Sequence, residues 1–570
     1  MPRSRAAALP ALSLLATTLL LAACSAPQQL QADTAAAPPA PPAPAPGTRV
    51  EMTGSAISSY SGYTGVPPTT FQRRAAMSPF AALSRSPSYA PDAEHFPDVQ
   101  ANRAVLVEEQ PVSTFSSDVD TASYAYVRRQ LNAGRMPPPA AVRVEEMVNY
   151  FPYAYAAPGK ASQPFALTTA TMPSPWNADN QLLHVAVRGY DLQRAERPPM
   201  NVVLLVDVSG SMAAQDRLPL LKQGFRLFAQ GLREQDRVAI VTYANGTAVA
   251  LEPTTGSDKQ KIIDAIDALQ AAGGTAGRDG LERAYAMAQR HFDAKAVNRI
   301  ILATDGDFNI GVKDPRQLET FIAGKRKSGV YLSIFGVGNG NLNDALIQRL
   351  TQSGNGNAAY IDSLLEARKA LQAELGSTMF PIANDVKMQV EFNPARVAAY
   401  RLIGYETRML ARQDFKDDKV DAGDMGAGHT VTAIYEITPA AGAGKLVDPL
   451  RYGTGKTAVP AGKNDELAFV RVRYKLPGES KSRLAEQPVR PATAHATLAA
   501  APADQRFAVA VAAFGQRLRG EPQVSDYSYA DIATLANDAR GADTDGYRAE
   551  FVKLVRMAES LDQAGATGRP

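Results

Sequence analysis

The sequence predicts an α/β chain: a doubly wound, mainly parallel sheet inserted in a β-rich, sandwich-like unit, with helical N- and C-terminal segments. Three observations carry this. Apolar runs NVVLLVD (201–207), RVAIVTY (237–243), NRIILATD (298–305) and VYLSIFGVG (330–338) alternate with stretches of helical period. Unbroken apolar runs suit strands covered on both faces, and strand–helix alternation implies a parallel sheet. Shorter alternating runs flank this block, FALTTATM and LLHVAVRGY before it, VKMQVEF, VAAYRLIGY, HTVTAIYEI and LAFVRVRY after it. Such runs mark half-buried strands that can close together around an insertion. The tail, 503–562, repeats apolar residues such as Phe551, Leu554, Val555 and Leu561 at helical spacing, which predicts helices packed on the body.

From the N-terminus, residues 1–23 read as a lipoprotein signal peptide. Arg3 and Arg5 precede an apolar stretch through Leu21, broken by Pro10 and too short for a comfortable membrane span. The ending Leu21-Ala22-Ala23-Cys24 resembles a bacterial lipobox, in which the cysteine carries lipid and becomes the first mature residue. The alternative is an ordinary signal peptide with an incidental cysteine. Ser25 after the cysteine resembles the sorting pattern of Gram-negative lipoproteins, which implies the cell envelope and the outer membrane, facing the periplasm. Residues 24–105 read as an Ala/Pro-rich tether, since 35–46 contain only those two residues and cannot build a core.

Residues 106–160 predict a helical unit. Asp120 is expected to cap a helix running to about Ala133, with Gly134 beyond its end, and Pro137–Pro139 to start a second helix carrying Val142, Met147 and Val148. Asp118 and Asp120 could instead bind metal, but capping is favoured. Residues 161–197 and 381–480 are the flanking β-rich segments, with Trp176 in a loop of the first. The inserted block spans 198–380. Helices are expected at 218–232, 257–270, 278–291, 315–327, 343–351 and 363–374, and a short strand around Thr247–Leu251. Residues 481–570 are expected to be helical.

Composition excludes several functions. Lys and Arg number 60 against 57 Asp and Glu over 570 residues, so no basic excess suggests nucleic acid. Cys24 is the single cysteine, which excludes a disulfide framework, a zinc finger and an iron–sulfur site. Gly453-Thr454-Gly455-Lys456-Thr457 mimics a phosphate loop, but Leu450 stands where its leading glycine should be, so no nucleotide is expected. Asp305-Gly306-Asp307-Phe308-Asn309 lacks the glycine and glutamate of a calcium loop, having Ile310 and Arg316.

One constellation stands out. Asp207, Ser209 and Ser211 alternate where a buried strand ends, Asp305 ends another strand at the same edge, and Thr275 lies in a Gly-rich loop. Ligands of open α/β sheets bind outside the carboxyl ends of strands. Two carboxylates and three hydroxyls form an all-oxygen set suited to a hard cation, Mg2+ first, with Mn2+ or Ca2+ as alternatives.

The D-x-S-x-S pattern, the distant threonine and the T-D-G strand end resemble the metal-ion-dependent adhesion site of von Willebrand factor type A domains, at all five positions. STFSSDVDTASY (113–124), EEMVNYF (145–151) and TDGDFNIG (304–311) resemble the YfbK-type lipoproteins, over about 106–565. The resemblance implies direct ligation by the serines, with the threonine and Asp305 acting directly or through water. It also implies a protein partner whose acidic side chain completes the metal. Asp307 and Asn309 are expected to support the loop from outside the ligand set. The expected function is therefore an envelope-anchored, non-enzymatic binding module. Two alternatives are a metal-assisted hydrolase, which lacks a candidate base within reach by sequence, and a structural envelope protein with an empty or vestigial site. Ser209 or Ser211 as a hydrolase nucleophile is set aside, since no G-x-S-x-G elbow surrounds them and His291 is expected on a helix surface.

Overall fold

The computed structural model describes residues 96, 100–117, 120–160, 162–193, 196–274, 277–306, 315–338, 343–374, 379–420, 422–441 and 465–567. The signal peptide, Cys24 and most of the tether lie outside them, as do Asp118 and the 453–457 segment.

Strand Met200–Asp207 is the middle of a six-stranded sheet ordered Ala358–Ile361, Val330–Val337, Val297–Thr304, Met200–Asp207, Arg237–Tyr243, Thr247–Thr255. All neighbours are parallel except the last pair. The first strand of the block pairs on both sides because later strands were added to either edge. That places a topological switch between the ends of Met200–Asp207 and Val297–Thr304. The unbroken run is explained by burial on both faces. Val202, Leu204 and Val206 meet Leu221, Phe225 and Ile262 on one side. Val203 and Leu205 meet Leu281, Tyr285 and Ile322 on the other.

The flanking strands form two antiparallel sheets. One is ordered Val105–Leu106, Val397–Ile403, Thr430–Pro439, Gln181–Gly189, Phe165–Pro173. In the other, Pro381–Phe392 pairs with Ala468–Lys475, Val112–Ser116 and Met425–Gly426, and Ser482–Val489 completes the edge. Leu183, Val185 and Val187 of the first sheet share a core with Met388, Val390 and Val470 of the second. This is the sandwich expected around an insertion. Where the α/β block leaves and returns, both chain ends meet one turn, between Met425–Gly426 and Thr430–Pro439: Gly428 N–H donates to the Tyr190 carbonyl at 2.9 Å, and Ala427 N–H to the Phe380 carbonyl at 2.9 Å. Helices Ala122–Asn132, Val144–Asn149, Ala503–Arg519, Tyr529–Asp538 and Tyr547–Thr567 cover the outer face of the first sheet. Phe551, Leu554 and Val555 are buried there, as their spacing predicts.

Several expectations are corrected. Val112–Ser116 is a buried strand, not helix, since its Ser/Thr side chains find partners inside the sandwich: Tyr435 hydroxyl meets Ser113 Oγ at 3.0 Å. Ser482–Val489, placed by sequence in the helical tail, is an edge strand whose half-exposed face, Pro488 and charges carry little strand signal. Ala358–Ile361 adds a sixth central strand that four residues were too short to announce. The second N-terminal helix is only Val144–Asn149, after a turn at Pro139–Ala141. The segment 363–374 is a short helix, Leu364–Arg368, followed by a wider turn, Lys369–Glu374.

Asp120 does not cap its helix. Thr121 occupies that position without a side-chain bond, and Asp120 is buried. Its carboxylate accepts Ala358 N–H at 2.9 Å and pairs with Arg408 at 3.0 Å, tying the central sheet to the sandwich. Once Asp120 is buried its charge must be paired, and leaving it unpaired would cost more than the about 1 kcal/mol that a cap contributes. Among the described residues no helix is long and apolar enough to cross a membrane.

Candidate metal centre

The site grows from the end of strand Met200–Asp207. Its register sets Asp207 opposite Tyr243 on one side, and Val206 opposite Ala303 on the other, so Asp305 follows one residue past the neighbouring strand end. The chain then turns sharply. Ser209 N–H donates to Asp207 Oδ1 at 2.8 Å, which folds the loop back on its own carboxylate. Ser209 Oγ and Ser211 Oγ stand 3.1 Å apart, so both hydroxyls share one side of the turn. Ser209 is buried, while Ser211 is exposed at the mouth.

The Gly-rich loop joins from the side. Gly210 N–H donates to the Gly273 carbonyl at 2.9 Å and Ala272 N–H to the Val208 carbonyl at 2.7 Å. Gly273 has φ +86, and a Cβ there would meet Asn245 Nδ2 at 2.6 Å, so the close approach requires glycine. Asn245 Oδ1 in turn accepts Gly274 N–H at 2.6 Å. Thr275, Asp307 and Asn309 lie outside the described residues. Gly306 has φ +94, which turns the chain directly after Asp305.

Both carboxylates are buried, but they are satisfied differently. Asp305 pairs through Oδ2 with Arg217 Nη1 at 2.5 Å, and the same nitrogen donates to the Ser211 carbonyl at 2.9 Å. Asp207 Oδ2 is buried and accepts no hydrogen bond of ordinary geometry, although the Ser209 and Tyr243 hydroxyls stand close enough to the carboxylate to lower its pKa. Burial is the main force pushing the Asp207 carboxyl above its ordinary range. The Asp305 charge adds to it, against the Ser209 amide. Tyr243 beside it is pushed well up by burial and then by the Asp207 charge, and stays neutral. A buried acceptor left bare costs about 1–3 kcal/mol, more when charged. A hard cation amid serine hydroxyls would satisfy that oxygen, so the donor set fits Mg2+. Among the described residues no three His, Cys, Asp or Glu side chains gather as a metal cluster. The site has two acids and neutral hydroxyls instead.

Arg217, Tyr243 and Asn245 are the residues that sequence reading missed. Arg217 precedes a helix in a loop and shows no motif; Tyr243 is the apolar-looking end of a strand. His291 is partly buried just after helix Gly277–Arg290, and its carbonyl accepts Asn201 Nδ2 at 2.8 Å near the start of the first central strand. That is the edge opposite the serines.

Comparison with known proteins agrees with this architecture. Over 477 residues the chain is 45% identical to "Uncharacterized protein YfbK" of Escherichia coli K12, covering 83% of this chain and 82% of that one. The chain belongs to the YfbK family. Family profiles match at three places: "Uncharacterized protein YfbK, C-terminal" over 377–561, "von Willebrand factor type A domain" over 202–307, and "von Willebrand factor" over 90–184. The inserted block of this YfbK relative is thus a von Willebrand factor type A domain. Inter-alpha-trypsin inhibitor heavy chain H3 of Homo sapiens is 23% identical over 255 residues, 42% of this chain and 28% of that protein. A solved von Willebrand factor type A structure from Catenulispora acidiphila is 17% identical, covers 69% of this chain and 89% of its own, and superimposes with a TM-score of 0.38.

Proposed function

We propose that this protein is an envelope lipoprotein, anchored through Cys24 and facing the periplasm from the outer membrane. Its von Willebrand factor type A domain binds a partner protein through Mg2+ held by Asp207, Ser209, Ser211, Thr275 and Asp305. The observation that carries the reading is the bare, buried Oδ2 of Asp207 beside two convergent serine hydroxyls and a second carboxylate. Bound there, the ion would supply positive charge that mainly neutral hydroxyls leave unspent, and so attract a carboxylate of the partner. The chain's own residues do the rest. Ser209 and Ser211 present oxygens without adding charge, and the Gly273–Gly274 loop holds their turn in place. A binding role is favoured over hydrolysis because His291 lies at the opposite sheet edge from the serines.

The test is crosslinked pulldown from envelopes with and without Mg2+, comparing wild type with Asp207→Ala. A specific protein should be captured only by wild type with Mg2+; capture independent of both overturns the reading. Cys24→Ser should release the protein from membranes or leave it unprocessed. Unchanged fractionation would remove the anchor.

A further inference from the structure

We propose that Arg217 is a built-in cation that competes with the divalent ion for Asp305 and so sets how tightly the site holds metal. The proposal rests on the metal-site reading above and assigns its regulation to a residue outside the ligand set.

The position of Arg217 is unfavourable by itself. It stands immediately before helix Leu218–Gly231, whose N-terminus carries no side-chain cap. A positive charge at that end opposes the helix dipole. What holds it there is the site: Nη1 donates to Asp305 Oδ2 at 2.5 Å and to the Ser211 carbonyl at 2.9 Å. The Asp305 side chain is 1% exposed and that of Arg217 14%, so the guanidinium covers the carboxylate.

The fold makes a slot for this arginine. Gly338, with φ +78, ends the neighbouring strand Val330–Val337, and a Cβ there would stand 2.4 Å from Arg217 Nε and 2.7 Å from its Cγ. The Gly338 carbonyl is held from behind by Arg129 Nη1 at 3.2 Å and by the Tyr360 hydroxyl. Arg129 belongs to helix Ala122–Asn132, outside the α/β block. The N-terminal helix therefore backs the wall against which Arg217 lies.

The consequence is electrostatic. Asp207 and Asp305 offer two negative charges to an incoming ion, and Arg217 cancels one of them at contact distance. Arg217 thus stabilises the metal-free loop and lowers the site's attraction for a second cation.

The experiment is calorimetric Mg2+ titration of the full chain as wild type, Arg217→Gln and Arg217→Lys, with melting in EDTA and in saturating Mg2+. Removing the charge should tighten Mg2+ binding by about tenfold, allowing for partial solvent screening. Arg217→Gln should melt below wild type in EDTA and recover in Mg2+. Arg217→Lys, which keeps the charge, should bind nearer to wild type than Arg217→Gln does. Mg2+ binding by Arg217→Gln no tighter than wild type overturns the proposal. A measurement on wild type alone guards against a variant that does not fold. Phenylglyoxal labelling read by peptide mass spectrometry should rise at Arg217 on adding Mg2+ and stay constant at exposed Arg237. Labelling of Arg217 that ignores Mg2+ also overturns it. A wild type that takes up no Mg2+ removes the site reading and this inference together; a wild type that binds while Arg217→Gln fails to tighten removes the inference alone.

Discussion

Asp207 and Glu366 are buried acids of the same α/β block, and their surroundings differ in kind. Glu366 Oε2 accepts Arg128 Nη2 at 2.8 Å and the Tyr150 hydroxyl at 2.7 Å. Burial alone would raise its carboxyl, but Arg128, Lys369 and Tyr150 carry it below its ordinary value. Arg128 also reaches Asp362 and Glu550, so one guanidinium ties the N-terminal helix to the α/β block and to the last helix. Asp207 has the Ser209 amide on one oxygen and no hydrogen bond of ordinary geometry on the other, and burial leaves it raised. A saturated buried acid fastens elements together; an unsaturated one at a sheet's switch point is the place where the proposed ion would find an open oxygen.

The largest expected effect breaks the fastened side. Arg128→Ala strands the Glu366 and Asp362 charges and should cost about 3–5 kcal/mol of stability in urea unfolding. Mg2+ affinity of the folded protein should not move. An unchanged unfolding midpoint would mean that the network fastens nothing.

The second breaks the receptive side. Asp207→Ala should weaken Mg2+ binding at least about hundredfold, roughly 2.8 kcal/mol, while stability in EDTA holds or rises because the bare oxygen is gone. Calorimetry and urea unfolding of one sample check both halves; retained affinity would refute the assignment.

A third sharpens the contrast with an acid fastened poorly. Glu145 Oε2 is buried without a partner, and its carboxyl is pushed up to about 7 by burial, then by the Glu406 and Glu146 charges. Its folded pKa lies above the ordinary 4.5, so the proton it takes up stabilises the fold. That stability is complete below about pH 4.5 and is lost as pH rises through about 7. Glu145→Gln should flatten this slope and be about 3 kcal/mol more stable than wild type at pH 8. Equal slopes for the two proteins between pH 5 and pH 8, in paired urea titrations, would contradict it.

The smallest effect divides the proposed ligand set. Ser211→Ala removes an exposed hydroxyl and should weaken Mg2+ binding by about tenfold, less than Asp207→Ala, with no change in melting. A loss as large as that of Asp207→Ala would place Ser211 on a par with the buried acid.

Much of this was legible in the chain. The four buried central strands and the three tail helices are local statements: a run such as NVVLLVD can be stable only where both faces are covered, and Phe551, Leu554 and Val555 share a helix face whatever they pack on. The order of D-x-S-x-S and T-D-G along the chain named Asp207, Ser209, Ser211 and Asp305 because each motif sits at a strand end. Less legible were the strands that borrow their stability. Val112–Ser116 and Ser482–Val489 carry serines, threonine, charges and a proline, and become strands because Pro381–Phe392 and Ala468–Lys475 offer them ladders.

Sequence by itself therefore determined the periodic elements, the insertion and the oxygen chemistry of the strand ends, since these follow from neighbours a few residues apart. Tertiary structure alone decided which charges are spent. Asp120 looked like a cap and became a partner of Ala358 and Arg408. Arg217 looked like an ordinary loop arginine and came to rest on Asp305, 88 residues away. The physical reason is that a charge's partner is chosen by burial and distance in the folded chain, and neither leaves a period or a spacing in the sequence.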